Sequence, residues 1–241
     1  MKITIAVPAF NEEKLLARSL AAIRQACHVF STRGWLSEIV VCDNNSTDKT
    51  AQIARASGAA VVFEPINQIS RARNKAGFAA QGDWIIFVDA DSFPSTELFQ
   101  RVAELITSGR CIGGGCLVQL DERHVSTHLL VLLWNTVSRL KKWAAGSFIF
   151  CEAQTFREMK GFSDKLFASE EVEFSRRLKQ AGKPTRRKVV IITKPRLTTS
   201  ARKIHLYSRG EHLRFMVKAV LFPNRVLASR DECAPWYDGR R

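Results

Sequence analysis

Two aspartates separated by one residue follow a short apolar stretch, in the sequence Phe87-Val88-Asp89-Ala90-Asp91. Where a buried strand ends in a turn, such a pair can aim both carboxylates at one site. Hard divalent cations such as Mg²⁺ bind carboxylate oxygens of this kind together with phosphate oxygens. The alternative is that Asp91 and Ser92 cap the helix that follows. The apolar stretch directly before the pair favours a metal-binding function.

Three other polar segments also follow short apolar runs. They are Pro8-Ala9-Phe10-Asn11-Glu12-Glu13, Asp43-Asn44-Asn45-Ser46-Thr47-Asp48, and Arg71-Ala72-Arg73-Asn74 after Pro65. In open α/β sheets, ligands bind outside the carboxyl ends of the strands, so we expect the four segments to line one site. Taken one at a time, each is explained equally well by ordinary turn chemistry.

The elements that must position these segments alternate between β-branched apolar runs and helical patterns, which is typical of βαβ units and a largely parallel sheet. The spacing also predicts helices from Leu15 to Cys27 and around Ile53, the latter capped by Ser46 or Thr47. The other predicted helices are Ser70–Ala80, Ser95–Ser108, Ser126–Lys142 and Glu171–Ala181. The predicted strands are Lys2–Val7, Glu38–Cys42, Ala60–Phe63, Trp84–Val88, Cys111–Leu120, Ser147–Cys151 and Val189–Ile192.

Together and in this order, the four polar segments resemble the inverting family 2 glycosyltransferases, which have the GT-A fold. The resemblance covers roughly residues 2–195, because Phe156 to Phe162 and Glu170 to Leu178 are similar to the family's acceptor-side segment and acidic catalytic helix. It implies an α/β fold whose mixed, mostly parallel sheet is flanked by helices. It also implies transfer of a sugar from a nucleotide-diphosphate sugar to a hydroxyl acceptor.

The resemblance further implies a role for each matching residue. Asp91 would hold Mg²⁺ or Mn²⁺, which bridges the two phosphates and stabilises the charge on the leaving nucleoside diphosphate. His205 is the favoured late histidine for a further metal ligand. Pro8 and Glu12 would lie against the nucleoside, and Asp43 would hydrogen-bond the base. Arg73 would approach the base or the diphosphate, and Asp89 would touch the ribose.

Inversion requires a carboxylate that deprotonates the acceptor hydroxyl. Glu171 is the candidate base, at a position where the family most often has Asp. Glu170 remains a competitor, since adjacent residues on a helix point about 100° apart. An acidic first helical turn also complements the helix dipole, and that structural explanation stays open.

Three further features bear on the reaction and its setting. Gln154-Thr155-Phe156-Arg157 is followed by Glu158, unlike the Gln-x-x-Arg-Trp segment of processive family members, and this favours transfer of a single sugar. The longest stretch without Asp, Glu, Lys or Arg is fifteen residues, whereas a membrane-spanning helix needs roughly 20 apolar residues. Gly113-Gly114-Gly115 either lets the backbone approach the donor sugar or relieves crowding at a bulge.

The net charge of +14 is unevenly distributed, because residues 176–241 carry 18 basic and 4 acidic side chains. Such a surface commonly meets phosphate in nucleic acid, in anionic lipid or in a substrate. We predict a GT-A domain over residues 1–200, with a nucleotide-binding half (1–110) and an acceptor-side half (111–200). A basic extension follows over 201–241, with an amphipathic basic helix within 207–229.

Two other functions fit parts of the sequence. A nucleotidyltransferase usually has a glycine-rich, basic loop after its first strand, whereas the loop here is acidic and lacks glycine. The stronger alternative is a nucleotide- or anionic-surface-binding module that uses the same scaffold and the basic tail. Nucleic acid is disfavoured as a partner, because the tail aromatics lack the spacing of a stacking platform.

The N-terminal stretch lacks secretory-signal features, so we expect a cytoplasmic protein with peripheral contact at the anionic inner membrane face.

Overall fold

The computed structural model describes residues 1–122, 125–202 and 226–233, with the backbone alone for 125–130. The strands are β1 (Lys2–Ala9), β2 (Leu36–Asp43), β3 (Ala60–Phe63), β4 (Trp84–Val88), β5 (Ser92–Phe93), β6 (Cys111–Leu120), β7 (Phe148–Glu152) and β8 (Lys188–Thr199). The helices are α1 (Leu16–Ser31), α2 (Thr50–Ala56), α3 (Ile69–Ala79), α4 (Thr96–Thr107), α5 (Val125–Lys141), α6 (Ala153–Glu158) and α7 (Glu170–Gly182).

The strands form one sheet in the order β3-β2-β1-β4-β7-β6-β8-β5. The first four strands along the chain pair in parallel, as βαβ units require, and β6 also pairs in parallel with β8. β7 runs antiparallel to both of its neighbours, and β5 runs antiparallel to β8. The predicted mixed, mostly parallel α/β sheet flanked by helices is confirmed.

The sheet is buried on both faces. Alternate residues of β1 point to opposite sides, so Ile5 belongs to one hydrophobic cluster and Ala6 to the other. α1 and α4 cover the first face, while α3, α6 and α7 cover the second with a group of aromatic rings. Because helices cover both faces of the sheet, the strands appear in the sequence as nearly continuous apolar runs.

Three strands are longer than predicted, and one of them is β2, which runs from Leu36 to Asp43 instead of from Glu38 to Cys42. β1 continues past Val7 to Ala9, and it pairs with β4 only as far as Ala6. Pro8 therefore lies beyond the part of β1 that has neighbours on both sides, where a missing donor is tolerated. β8 continues past Ile192 because it follows β6 through a register shift and then pairs with β5.

The predicted cap of α2 is wrong, and so is the alternative in which Asp91 and Ser92 cap the following helix. α2 begins at Thr50 without a side-chain cap, because Ser46 and Thr47 bond to Asn11 in the first polar segment instead. The Asn11 amide donates to Ser46 Oγ at 3.0 Å, and the Thr47 amide donates to Asn11 Oδ1 at 2.8 Å. α4 is capped by Ser95, so Asp91 and Ser92 do not begin that helix.

The glycine triplet in β6 relieves crowding. A Cβ on Gly114 would lie 1.9 Å from the Val190 carbonyl oxygen, and a Cβ on Gly115 would lie 2.7 Å from Ala144 Cβ. Gly114→Ala is therefore expected to lower the free energy of unfolding by about 3 kcal/mol or more, measured by urea denaturation. Gly109 has a φ of +64° and open space around it, so Gly109→Ala should cost only about 1–2 kcal/mol. Equal losses in the two variants would contradict the crowding explanation.

Candidate active site

A buried arginine connects three of the predicted site segments. Arg73 on α3 is 3% exposed, and its Nη1 contacts Glu170 Oε1 at the start of α7. Its Nη2 donates to Asp89 Oδ1 at 3.1 Å, just after β4, and to the Gly146 carbonyl at 2.9 Å. The structure thus brings together Arg73, Asp89 and Glu170, which are far apart in sequence.

The charges in this cluster compensate one another. Burial opposes the charge on Arg73, but the carboxylates of Asp89 and Glu170 more than offset it and hold the Arg73 pKa above its ordinary value. The guanidinium therefore stays cationic and neutralises part of the surrounding negative charge. Arg73 Nε is buried without a hydrogen-bond partner, as is Oγ of Ser70 one turn earlier on α3.

Glu171 differs from its neighbour Glu170. Glu170 is only 3% exposed and contacts Arg73 directly, whereas Glu171 is half-buried. Burial, reinforced by the negative charge of Glu170, raises the pKa of Glu171 to about 8. A carboxyl group with a pKa near neutrality is suited to exchange a proton with a bound substrate.

The backbone is strained where this acidic pair begins. Ser169 has a left-handed φ of 62° and gives α7 no side-chain cap. A non-glycine residue in this conformation costs about 1–2 kcal/mol, so the surrounding structure must hold it in place. The chain turns sharply at this point, immediately before Glu170 and Glu171.

The residues predicted to meet the nucleoside lie where the first two parallel strands end. Asp43 ends β2, is 7% exposed, and accepts the Ser46 amide at 3.0 Å through Oδ1. Pro8 lies opposite Cys42 in the β1–β2 register. Glu12 is buried, and its amide donates to Thr50 Oγ1 at 2.8 Å.

Arg202 joins this group and was not identified from the sequence. Its Nη2 donates to Glu12 Oε2 at 2.5 Å, while its Nε and Nη1 are buried without hydrogen-bond partners. Buried, unpaired N–H groups are costly, and they are commonly explained by a ligand or ordered water. Arg202 is one of many basic residues after β8, and no local spacing distinguished it from the others.

Two amide side chains on or next to α3 hold the acceptor-side segment; Asn74 belongs to a predicted site segment, whereas Gln68 was not identified from the sequence. The Asn74 side chain donates to the Phe162 carbonyl at 2.8 Å and accepts the Phe162 amide at 2.7 Å. Gln68 Nε2 donates to the carbonyls of Asp164 and Leu166 at 2.7 and 3.0 Å. These contacts fix the segment that leads into α7 against the helix that carries Arg73.

The donor set fits a cation that is held jointly with a substrate. Asp91 is 4% exposed, and its backbone carbonyl accepts the Ser200 amide at 3.0 Å. Across the described ranges, no three His, Cys, Asp or Glu side chains converge to make a protein-only metal cage. A single carboxylate together with phosphate oxygens is a usual way to bind Mg²⁺. His205 lies outside the described residues.

Residues 4–163 match the family model described as Glycosyl transferase family 2. The chain belongs to glycosyl transferase family 2. Among curated relatives, it is 36% identical over 104 residues to an uncharacterized glycosyltransferase of Mycobacterium tuberculosis, a stretch that covers 43% of each chain. The matched stretches span between 34% and 43% of the first curated relatives it matches.

Solved structures similar to this family 2 chain show the GT-A fold. The mannosyltransferase PcManGT from Pyrobaculum calidifontis, in complex with GDP-Man and Mn²⁺, has a TM-score of 0.68 at 18% identity, covering 92% of this chain and 62% of that one. S. aureus TarS 1-349, in complex with UDP-GlcNAc, has a TM-score of 0.64 at 19% identity, covering 98% and 69%.

Proposed function

We propose that this chain is a metal-dependent inverting transferase that moves one sugar from a nucleoside diphosphate sugar to a hydroxyl acceptor. The observation that carries the proposal is the Arg73 cluster, which joins Asp89 at the end of β4 to the acidic start of α7. Family membership supports the reaction class. The complexes of the similar structures with UDP-GlcNAc and with GDP-Man and Mn²⁺ support the donor class and the metal.

Glu171 is the general base in this proposal. Glu170 directs Oε1 to Arg73, whereas Glu171 keeps partial exposure and a pKa near 8. The acceptor oxygen forms a bond to the anomeric carbon while the bond to the leaving phosphate oxygen breaks. The acceptor proton passes to the Glu171 carboxylate.

Arg73 is a positioning residue in this proposal. Both of its terminal nitrogens bond to the protein, so it holds Glu170 and Asp89 in place. Asp89 keeps an exposed fraction of 26%, which leaves it able to meet the ribose. Pro8, Glu12 and Asp43 line the nucleoside end. Arg202, with its unpaired buried nitrogens, provides donors for the diphosphate.

Asp91 holds Mg²⁺ or Mn²⁺ in this proposal, with His205 as a further ligand. When bound, the cation stabilises the charge that builds on the leaving diphosphate. Substrate binding and transfer of the acceptor proton are carried out by the chain's own residues. Asp91 is buried beside the end of β8 and follows Asp89 by two residues, which supports this assignment.

Calorimetric titration of UDP, GDP, UDP-GlcNAc and GDP-Man, with and without Mn²⁺, tests the donor site. The wild-type chain should bind one nucleotide class more tightly with Mn²⁺. Asp91→Ala should lose that metal-dependent gain, because the carboxylate that holds the cation is gone. Arg202→Ala should weaken binding by about 10- to 100-fold both with and without Mn²⁺, because it removes a charge-assisted contact to phosphate. A metal-dependent gain that persists in Asp91→Ala would remove that residue from the metal site.

The second candidate function is a module that binds anionic surfaces through the basic tail, without catalysis. Its support is the excess of basic residues after position 175. Most of the tail, including the amphipathic helix predicted within 207–229, lies outside the described residues, so its contact with the inner membrane face stays a prediction. Failure of every nucleotide to bind in the titration would favour this function. Within the described ranges, no helix has the length and apolar character needed to cross a bilayer.

A further inference from the structure

The orientation of α5 about its own axis is fixed by a buried polar clamp. Asn135 is 5% exposed, its Oδ1 accepts the Val118 amide at 3.1 Å, and its Nδ2 donates to the Val118 carbonyl at 2.8 Å. Val131 and Trp134 pack on the hydrophobic core beside this clamp. These residues define the inner face of α5, and the opposite face points away from the core.

The exposed residues of α5 include large apolar side chains. Leu132, Leu133 and Leu140 are 57%, 60% and 70% exposed. Leu133 and Leu140 are seven residues apart, so they lie on the same side of the helix. Exposed apolar groups that cluster in this way typically mark an interaction surface. We name these three residues the leucine ridge.

Positive side chains gather next to the leucine ridge. α5 ends at Lys141 and Lys142 follows it, and Lys179 on α7 donates from Nζ to the Lys141 carbonyl. The Arg176 guanidinium lies over the Trp143 ring, 5.0 Å from its centroid. Partial burial, followed by repulsion from Lys142, Arg176 and Lys141, lowers the Lys179 pKa below its ordinary value. We name Lys141, Lys142, Arg176 and Lys179 the cationic cluster.

We propose that the leucine ridge and the cationic cluster together dock on the surface of an anionic lipid bilayer. The two halves of the surface match the two layers of such a membrane. Leucine side chains enter the boundary with the acyl chains, while the cations meet headgroup phosphates. A second copy of this chain is a poorer occupant, because a two-fold contact through this surface would bring two cationic clusters together.

The docking surface connects directly to the candidate active site. Arg176 lies five residues after Glu171 on α7, about 7.5 Å along the helix axis. The Ala144 amide donates to Ser175 Oγ at 3.1 Å, and the Gly146 carbonyl accepts from Arg73. Given the proposed function, docking would hold a lipid-borne hydroxyl acceptor close to this chain. The docking itself does not depend on that function and is tested without nucleotide.

Cosedimentation of the full chain with vesicles tests the proposal. We expect the wild-type chain to pellet with vesicles of phosphatidylglycerol and phosphatidylcholine, and to remain in solution with phosphatidylcholine alone. Lys141→Glu/Lys179→Glu should lower the partition coefficient at least about tenfold, and Leu133→Ser/Leu140→Ser should lower it as well. Matched controls are Arg55→Glu/Arg110→Glu, which reverses two exposed charges elsewhere, and Leu36→Ser at an exposed leucine. Both controls should bind as the wild type does.

An attached dye gives a second measurement that does not rely on removing charged or apolar side chains from the docking surface. All six cysteines are buried, so a cysteine placed at an exposed position can be labelled selectively. An environment-sensitive dye on Leu140→Cys should shift to the blue when anionic vesicles are added, whereas a dye on Leu36→Cys should not. Equal binding of all variants, an unshifted dye at position 140, or no binding by the wild type would overturn the proposal. A dye shift that depends on protein concentration without vesicles would assign the surface to self-association instead.

Discussion

Glu171→Gln is expected to lower kcat by about 10²- to 10⁴-fold and to leave binding of the nucleoside diphosphate sugar unchanged. The amide keeps the shape of the side chain but cannot accept the acceptor proton. Steady-state kinetics with the donor identified by titration would measure the loss, and calorimetry would measure binding. Activity close to that of the wild type would move the role of base away from Glu171.

The pH dependence of the reaction gives an independent check on the same residue. The base must be ionised to act, and the Glu171 pKa is raised to about 8. In the wild-type chain, kcat/KM should therefore rise with pH and level off above about 8. The residual activity of Glu171→Gln should lack this rise with pH. A wild-type profile that is flat between pH 6 and 9 would contradict the assignment.

Stability separates a catalytic loss from misfolding. Because the folded chain raises the Glu171 pKa from 4.5 to about 8, its contribution favours folding at low pH. That contribution is lost as pH rises from about 4.5 to about 8, because over this interval folding must add a proton to a carboxylate that is ionised in the unfolded chain. Glu171→Gln should therefore gain stability relative to the wild type over this interval. Thermal unfolding at pH 5 and pH 8 measures the difference.

Arg73→Met is expected to lower the free energy of unfolding at pH 7 by about 3–5 kcal/mol, because it leaves Glu170 as an uncompensated buried charge. Urea denaturation measures the loss. The loss in stability should shrink as pH falls toward 5. Without the guanidinium, the pKa values of Glu170 and Glu171 rise, and protonation relieves the repulsion between these two carboxylates. A cost below 1 kcal/mol at pH 7 would show that the cluster does not depend on Arg73.

Two controls isolate the buried ion pair. Arg73→Met/Glu170→Leu removes both partners and should recover much of the loss, because no unpaired charge at position 170 remains. Arg101 pairs with Glu104 on the surface of α4, where the side chains are 53% and 39% exposed. Arg101→Met should therefore cost less than about 1 kcal/mol. The contrast tests burial of the pair as the cause of the large effect.

Much of the architecture was predictable from local patterns. β3, β4 and β6 have the predicted bounds, and the core helices lie within a few residues of their predictions, because strongly apolar strands and amphipathic helices leave a clear periodicity. β5, with two residues, and α6, with six, are too short to show one. The predicted cap of α2 was wrong for a different reason. Asn11 bonds to the Ser46 hydroxyl and the Thr47 amide, the residues that were predicted to form this cap.

The sequence by itself determined the family, because the acidic and amide segments at successive strand ends carry the family resemblance in their types and order. Only the tertiary structure decided which of these residues meet. Arg73 and Glu170 are 97 residues apart, and Glu12 and Arg202 are 190 apart. The direction of the leucine ridge likewise depends on the contact of Asn135 with a neighbouring strand. Local spacing encodes which face of an element is apolar, whereas the partner of a side chain is set only when distant elements pack together.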